Sequence, residues 1–174
     1  MYLCRLLVLM VICSIPLALG AEETADAEKK THQLKKDTRM VLGFGDYNFL
    51  DDNQSVEYRI EWHGGEFWRN LRPLVGYMTS ADHAHYVFGG VVSDFYLTDS
   101  IIFSLQSAIG YYEEGDGKDL GHEIEFKSAA EIAWQFSNRS RLGLQIYHLS
   151  NAGIDRKNPG TEILSISYTI PLSD

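Results

Sequence analysis

The residues of this 174-residue chain best suited to chemistry gather toward its C-terminus. The run Tyr147-His148-Leu149-Ser150 passes into Asn151-Ala152-Gly153, and Glu162 follows a turn-forming stretch that contains Asn158-Pro159-Gly160. A hydroxyl, an imidazole and a carboxylate are the working groups of a serine hydrolase. Serine is a poor nucleophile until an adjacent base takes its proton, and the base works best when a third group fixes its tautomer and steadies the imidazolium. Ser150, His148 and Glu162 can fill those roles in that order. The oxyanion formed by such an attack needs N–H donors, for which Gly153, Asn158 and Asn151 are the candidates. Arg156 and Lys157, in the same stretch, are candidates to meet a substrate phosphate, the alternative being an ordinary solvated turn.

Whether these groups meet depends on the strands that carry them. From Thr38 onward the sequence alternates with period two and is interrupted by turn residues, with no helical window long enough to compete. Eight strands are expected, over 38–49, 54–63, 70–79, 84–96, 99–113, 122–136, 139–150 and 161–173. In the second, Val56, Tyr58, Ile60 and Trp62 oppose Glu57, Arg59 and Glu61. In the sixth, Ile124, Phe126, Ala130, Ile132, Trp134 and Phe136 oppose Glu123, Glu125, Lys127, Glu131 and Gln135. One face is oily and the other ionic.

Two architectures give this pattern: a soluble barrel with the oily face inward, and an outer-membrane barrel with that face toward lipid. Strands of about nine residues or more match a tilted bilayer crossing, whereas strands of globular proteins run about five or six. Aromatic residues near strand ends (Phe49, Trp62, Trp68, Tyr96, Tyr111, Tyr112, Phe136, Tyr147) suit interfacial girdles, and mixed-sign charges can pair inside a lumen. The expected fold is therefore all-β, an eight-stranded antiparallel transmembrane β-barrel of the outer membrane. With both termini periplasmic, the outer loops are 50–53, 80–83, 114–121 and 151–160. Parity then puts His148, Ser150 and Glu162 on the lipid face, where ionisable groups are costly and mark function. Setting Ser150 directly opposite Glu162 makes His148 the diagonal neighbour of the carboxylate.

The N-terminal region reads as an export signal. Arg5 precedes an apolar stretch from Leu6 to Leu19, too short for a spanning helix, and Ala18-Leu19-Gly20 supplies a small-residue cleavage site. Residues 1–20 are thus expected to be removed, 21–37 to form a mobile charged segment, and 38–174 to form the barrel. Both cysteines, Cys4 and Cys13, lie in the signal, so the mature chain relies on no disulfide. Fifteen basic against twenty-four acidic residues give a net charge of −9, which excludes broad attraction to nucleic acid. Asp82-His83-Ala84-His85 lacks enough further ligands for a metal centre, and Glu113, Glu114, Asp116 and Asp119 read as a flexible acidic loop. No metal site is expected.

The run YHLSNAGIDRKNPGTEILSISYTIPL resembles the C-terminal hairpin of the PagL-type lipid A 3-O-deacylases, outer-membrane esterases with a His-x-Ser-Asn-Ala-Gly signature and a downstream Glu. About thirty residues carry the resemblance; the rest agrees in length, signal and strand plan. It implies that Ser150 is the nucleophile, His148 the base and Glu162 its orienting acid. It implies as substrate the ester-linked acyl chain at the 3 position of lipid A, the anchor of lipopolysaccharide, amid outer-membrane lipids. It implies no cofactor. The chain departs in ending Ile170-Pro171-Leu172-Ser173-Asp174 instead of in the aromatic residue common among outer-membrane barrels. The competing readings are a non-enzymatic barrel in envelope integrity or adhesion, and a soluble periplasmic lipid carrier. A homodimer is compatible with the sequence.

Overall fold

The computed structural model describes residues 37–52 and 54–172. The export signal, all of the charged segment but Asp37, and the last two residues lie outside them. Eight strands follow in order: β1 (Arg39–Tyr47), β2 (Ser55–His63), β3 (Leu71–Ser80), β4 (His85–Tyr96), β5 (Ile101–Glu113), β6 (Ile124–Gln135), β7 (Arg141–Ser150) and β8 (Thr161–Pro171). Each pairs antiparallel with the next, and β1 closes the barrel on β8 with Phe44 opposite Ile166. Closure leaves no edge strand, the condition for a sheet to exist in hydrocarbon.

The alternation in the sequence becomes an inside and an outside. Tyr58, Ile60 and Trp62 of β2 are exposed while Glu57, Arg59 and Glu61 are buried. Ile132 of β6 is 52% exposed and its neighbour Glu131 7%. The barrel therefore wears its oily face outward, which excludes the lipid-carrier arrangement with an apolar lumen open to a ligand.

Inside, two carboxylates gather most of the cations. Glu61 accepts hydrogen bonds from Arg59 at 2.7 Å and Lys127 at 2.5 Å, and its other oxygen lies 2.7 Å from His63 Nε2. At the end away from the longer loops, Asp94 holds both Arg39 (2.6 Å) and Arg141 (3.0 Å) and accepts a bond from Ser104. Asp37 also sits here, 2% exposed, its backbone carbonyl accepting from Arg72 at 2.6 Å. Several donors on Glu61 and on Asp94 offset the desolvation that would otherwise make their buried charge unfavourable.

The lumen is not polar throughout. Beneath the loop-rich end, Tyr47, Tyr86, Tyr112, Leu120, Tyr147, Leu149 and Ile163 belong to one buried apolar cluster. Tyr112 and Tyr147, expected in an outer aromatic girdle, are 3% and 2% exposed and point inward. Each keeps its hydroxyl bonded, Tyr147 to Glu57 at 2.8 Å and Tyr112 to the carbonyl of Lys118 at 2.7 Å. Parity decides their side; an aromatic ring with a satisfied hydroxyl is acceptable on either. Trp62, Trp68, Tyr111 and Phe136 are exposed as expected, whereas Tyr96 shares the parity of the buried Asp94 and its hydroxyl accepts from the lumen residue Arg141 at 3.1 Å.

Candidate functional site

The end of β7 and the start of β8 bring the sequence-selected groups together at the loop-rich rim. Along β7 the odd positions Arg141, Gly143, Gln145, Tyr147 and Leu149 are buried, while Leu142, Leu144 and Ile146 are exposed. His148 and Ser150 continue that outward set. On β8, Glu162 continues the set of Leu164, Ile166 and Tyr168.

The register differs from the expected one. His148, not Ser150, stands directly opposite Glu162, and the pairing continues only to Leu149 and Thr161. The reason lies in the connection: Gly160 sits at φ 66°, a left-handed turn that ends the ladder before Ser150 acquires a partner on β8. Ser150 instead pairs with Phe126 of β6. The consequence for chemistry is a better placed acid, since directly opposed side chains are the nearest across a sheet. His148 Nδ1 lies 3.1 Å from Glu162 Oε1.

The other edge of the imidazole faces Gly160. A Cβ added to that glycine would fall 2.6 Å from His148 Cε1 and 3.0 Å from Nε2. The ring thus presents Nδ1 to the carboxylate and its Cε1–Nε2 edge to Gly160. Ser150 is 7% exposed, whereas His148 and Glu162 side chains are 28% and 34% exposed. Ser150 is thus the most enclosed of the three, and the pair beside it is accessible.

The oxyanion candidates separate once their bonds are counted. The Gly153 N–H donates to Asn151 Oδ1 at 2.9 Å, so it is occupied. Asn151 is fully buried and its amide donates to the carbonyls of Leu120 (3.1 Å) and Lys157 (2.8 Å). Asn158 Oδ1 accepts the Asn151 N–H at 3.1 Å, which orients that side chain. Asn158 itself is exposed. Of the phosphate candidates, Lys157 is paired with Asp119, while Arg156 is exposed. The bond from Lys157, with a second from the Gly121 N–H, holds the Asp119 carboxyl below its ordinary range. The Asp119 and Leu120 contacts were beyond sequence reasoning, because nothing in the local pattern of the 114–121 loop marks it as touching the 151–160 turn.

Among the other candidates, His85 Nδ1 lies 2.7 Å from the Tyr77 hydroxyl with the rings stacked, and His83 is exposed at φ 61°.

Comparison with known proteins gives this rim a context. The structure is similar to the crystal structure of the outer membrane enzyme PagL, with a TM-score of 0.58 and 24% identity over 77% of this chain and 99% of that one. It is also similar to Neisserial surface protein A, at TM-score 0.55 and 12% identity over 77% of this chain and 95% of that one. Both likenesses concern the fold, an outer-membrane barrel of the same plan. In sequence, the chain is 35% identical over 52 residues to the lipid A deacylase PagL of Bordetella bronchiseptica, covering 30% of this chain and 29% of the relative. It is 33% identical over 55 residues to that of Pseudomonas aeruginosa, covering 32% of each. The matched segments thus span under a third of the curated relatives. The model of one family, described as lipid A 3-O-deacylase (PagL), matches residues 44–171, nearly the whole barrel, and the chain belongs to that family.

Proposed function

We propose that this chain is an outer-membrane serine esterase that removes the ester-linked acyl chain at the 3 position of lipid A, with Ser150 as nucleophile, His148 as base and Glu162 as orienting acid. The observation that carries the reading is the His148–Glu162 pair, 3.1 Å apart on the outward face beside Ser150. A lone ionisable residue at such a rim is adequately explained by snorkelling to water. A hydrogen-bonded imidazole and carboxylate next to a serine, in a chain of this family, are better explained by catalysis.

The steps follow from the groups. Ser150 Oγ attacks the ester carbonyl while His148 Nε2 takes its proton, and Glu162 fixes the Nδ1–H tautomer and steadies the imidazolium. The tetrahedral oxyanion is met by the Nδ2 donor of Asn158. Collapse breaks the acyl–oxygen bond, and His148 returns the proton to the departing sugar hydroxyl. Water, activated by the same imidazole, then hydrolyses the acyl-serine to free fatty acid and restores the enzyme. Position selects the substrate: a rim at the outer membrane surface meets the glycolipid where headgroup and first acyl carbons join. Arg156, exposed beside the site, is suited to a lipid A phosphate, while Lys157 is engaged with Asp119. An export signal over residues 1–20 and an outward-facing loop-rich end complete the reading.

Mass spectrometry of lipid A from cells with and without the protein tests it. The expected result is loss of one ester-linked chain from the 3 position only when the protein is present. Unchanged lipid A, with the barrel assembled in the outer membrane, favours a non-enzymatic barrel instead.

A further inference from the structure

The 114–121 loop is built against the turn that follows Ser150. Its buried member is Leu120, 1% exposed and part of the apolar cluster under the rim with Tyr112, Tyr147 and Leu149. The side chain anchors the loop; the backbone carbonyl of the same residue then accepts from Asn151 Nδ2 at 3.1 Å. Gly121 follows at φ 91°, packed so closely on the Lys157 carbonyl that an added Cβ would collide with backbone. Beside it Asp119 pairs with Lys157. Lys118 ties the same loop to Asp51 and to Asn48 Oδ1, which also accepts from Thr161 at the head of β8.

Asn151 is the point where these contacts converge. Its N–H, carbonyl, side-chain oxygen and amide all have partners: Asn158 Oδ1, the Ile154 N–H, the Gly153 N–H, and the carbonyls of Leu120 and Lys157. A fully buried amide spending its donors on two carbonyls of separate loops cannot also serve an oxyanion. It can fix the turn that carries Asn158. An exposed Asp–Lys pair contributes little by itself, whereas the buried amide and the close glycine contact leave the turn few alternatives.

We propose that Asn151 and the Leu120-Gly121 segment are positioning residues: the 114–121 loop clamps the 151–158 turn so that Asn158 is presented to the reacting ester. The proposal rests on the esterase reading above. It assigns Asn151, the residue next to the nucleophile, a role in holding geometry instead of in binding the oxyanion, and it extends the working site to a hairpin that carries none of the signature residues.

Two variants test it in the full barrel, Gly121→Ala, which forces the loop off the Lys157 carbonyl, and Leu120→Ala, which removes its apolar anchor. Heat-dependent mobility on gels checks that each barrel is folded. Hydrogen exchange of the 151–158 segment and the kcat and KM for lipid A in micelles are then measured beside the wild type. The clamp predicts faster exchange confined to that segment and a kcat lowered on the order of tenfold or more at nearly constant KM, with the loss smaller for Leu120→Ala. Unchanged exchange overturns the clamp. Faster exchange with wild-type kcat overturns the positioning role. A wild-type protein without esterase activity sinks the proposed function, and the exchange measurement still decides whether the loops are clamped.

Discussion

His148 and Glu162 face each other directly across the β7–β8 ladder, with Nδ1 3.1 Å from Oε1. In this arrangement the carboxylate meets the Nδ1 side of the imidazole, and the proposed reaction uses Nε2. Glu162→Ala is therefore expected to lower kcat while sparing Ser150 and His148 chemistry, with a loss on the order of a hundredfold smaller than removal of either. Glu162→Gln keeps the shape and removes the charge; a rate equal to that of the wild type would show that the charge does not steady the imidazolium.

Gly160 supplies the space that His148 occupies. Alanine there combines a left-handed φ, unfavourable by roughly 1–2 kcal/mol for a residue with a Cβ, with a methyl in the path of the imidazole. Gly160→Ala is expected to fold and to lose on the order of a hundredfold in kcat, as misplacement of a catalytic group by about 1 Å does. Steady-state kinetics on the heat-modifiable, folded variant check this, and undiminished kcat would mean that the ring has room to spare.

The oxyanion role proposed for Asn158 falls to the amide nitrogen, since its oxygen accepts the Asn151 N–H. Asn158→Asp keeps the acceptor that receives the Asn151 N–H but replaces the donor with a negative charge facing the oxyanion. It is expected to be at least as damaging as Asn158→Ala, for which loss of one donor costs about 2.7–4 kcal/mol of transition-state stabilisation. If Asp restores activity relative to Ala, the residue acts through the turn and not on the oxyanion.

The outward face can be tested at Ile132, 52% exposed near the middle of β6. Ile132→Arg would carry a charge into hydrocarbon at a cost of about 2–4 kcal/mol. Unfolding in phospholipid bilayers measures it, and a stability equal to that of the wild type would place this face against water.

The barrel was legible because period-two alternation over long strands leaves few folds that bury or bathe an entire apolar face. Val56 to Trp62 and their ionic neighbours settled inside from outside as soon as the sheet closed. The same parity carried His148, Ser150 and Glu162 to one face. What it could not carry was register, since a shift of two residues keeps every side chain on its face; the left-handed Gly160 decides that His148 and not Ser150 meets Glu162. Tyr96, Tyr112 and Tyr147 fall on the lumen side, against the girdle expectation, because residue type near a strand end does not set the side; parity does. The bonds of Asn151 were invisible for another reason: Leu120 and Lys157 reach it only through tertiary packing of two loops.

The most direct test of the account is deacylation of lipid A by the purified protein in detergent micelles, compared with Ser150→Ala. The substitution removes one oxygen from a side chain that lies outside the lumen's ionic network, so the barrel should fold with unchanged heat-dependent mobility. The account predicts release of the 3-linked acyl chain by the wild type, undiminished by chelators, and none above background by the variant. Release at the wild-type rate by Ser150→Ala would contradict it.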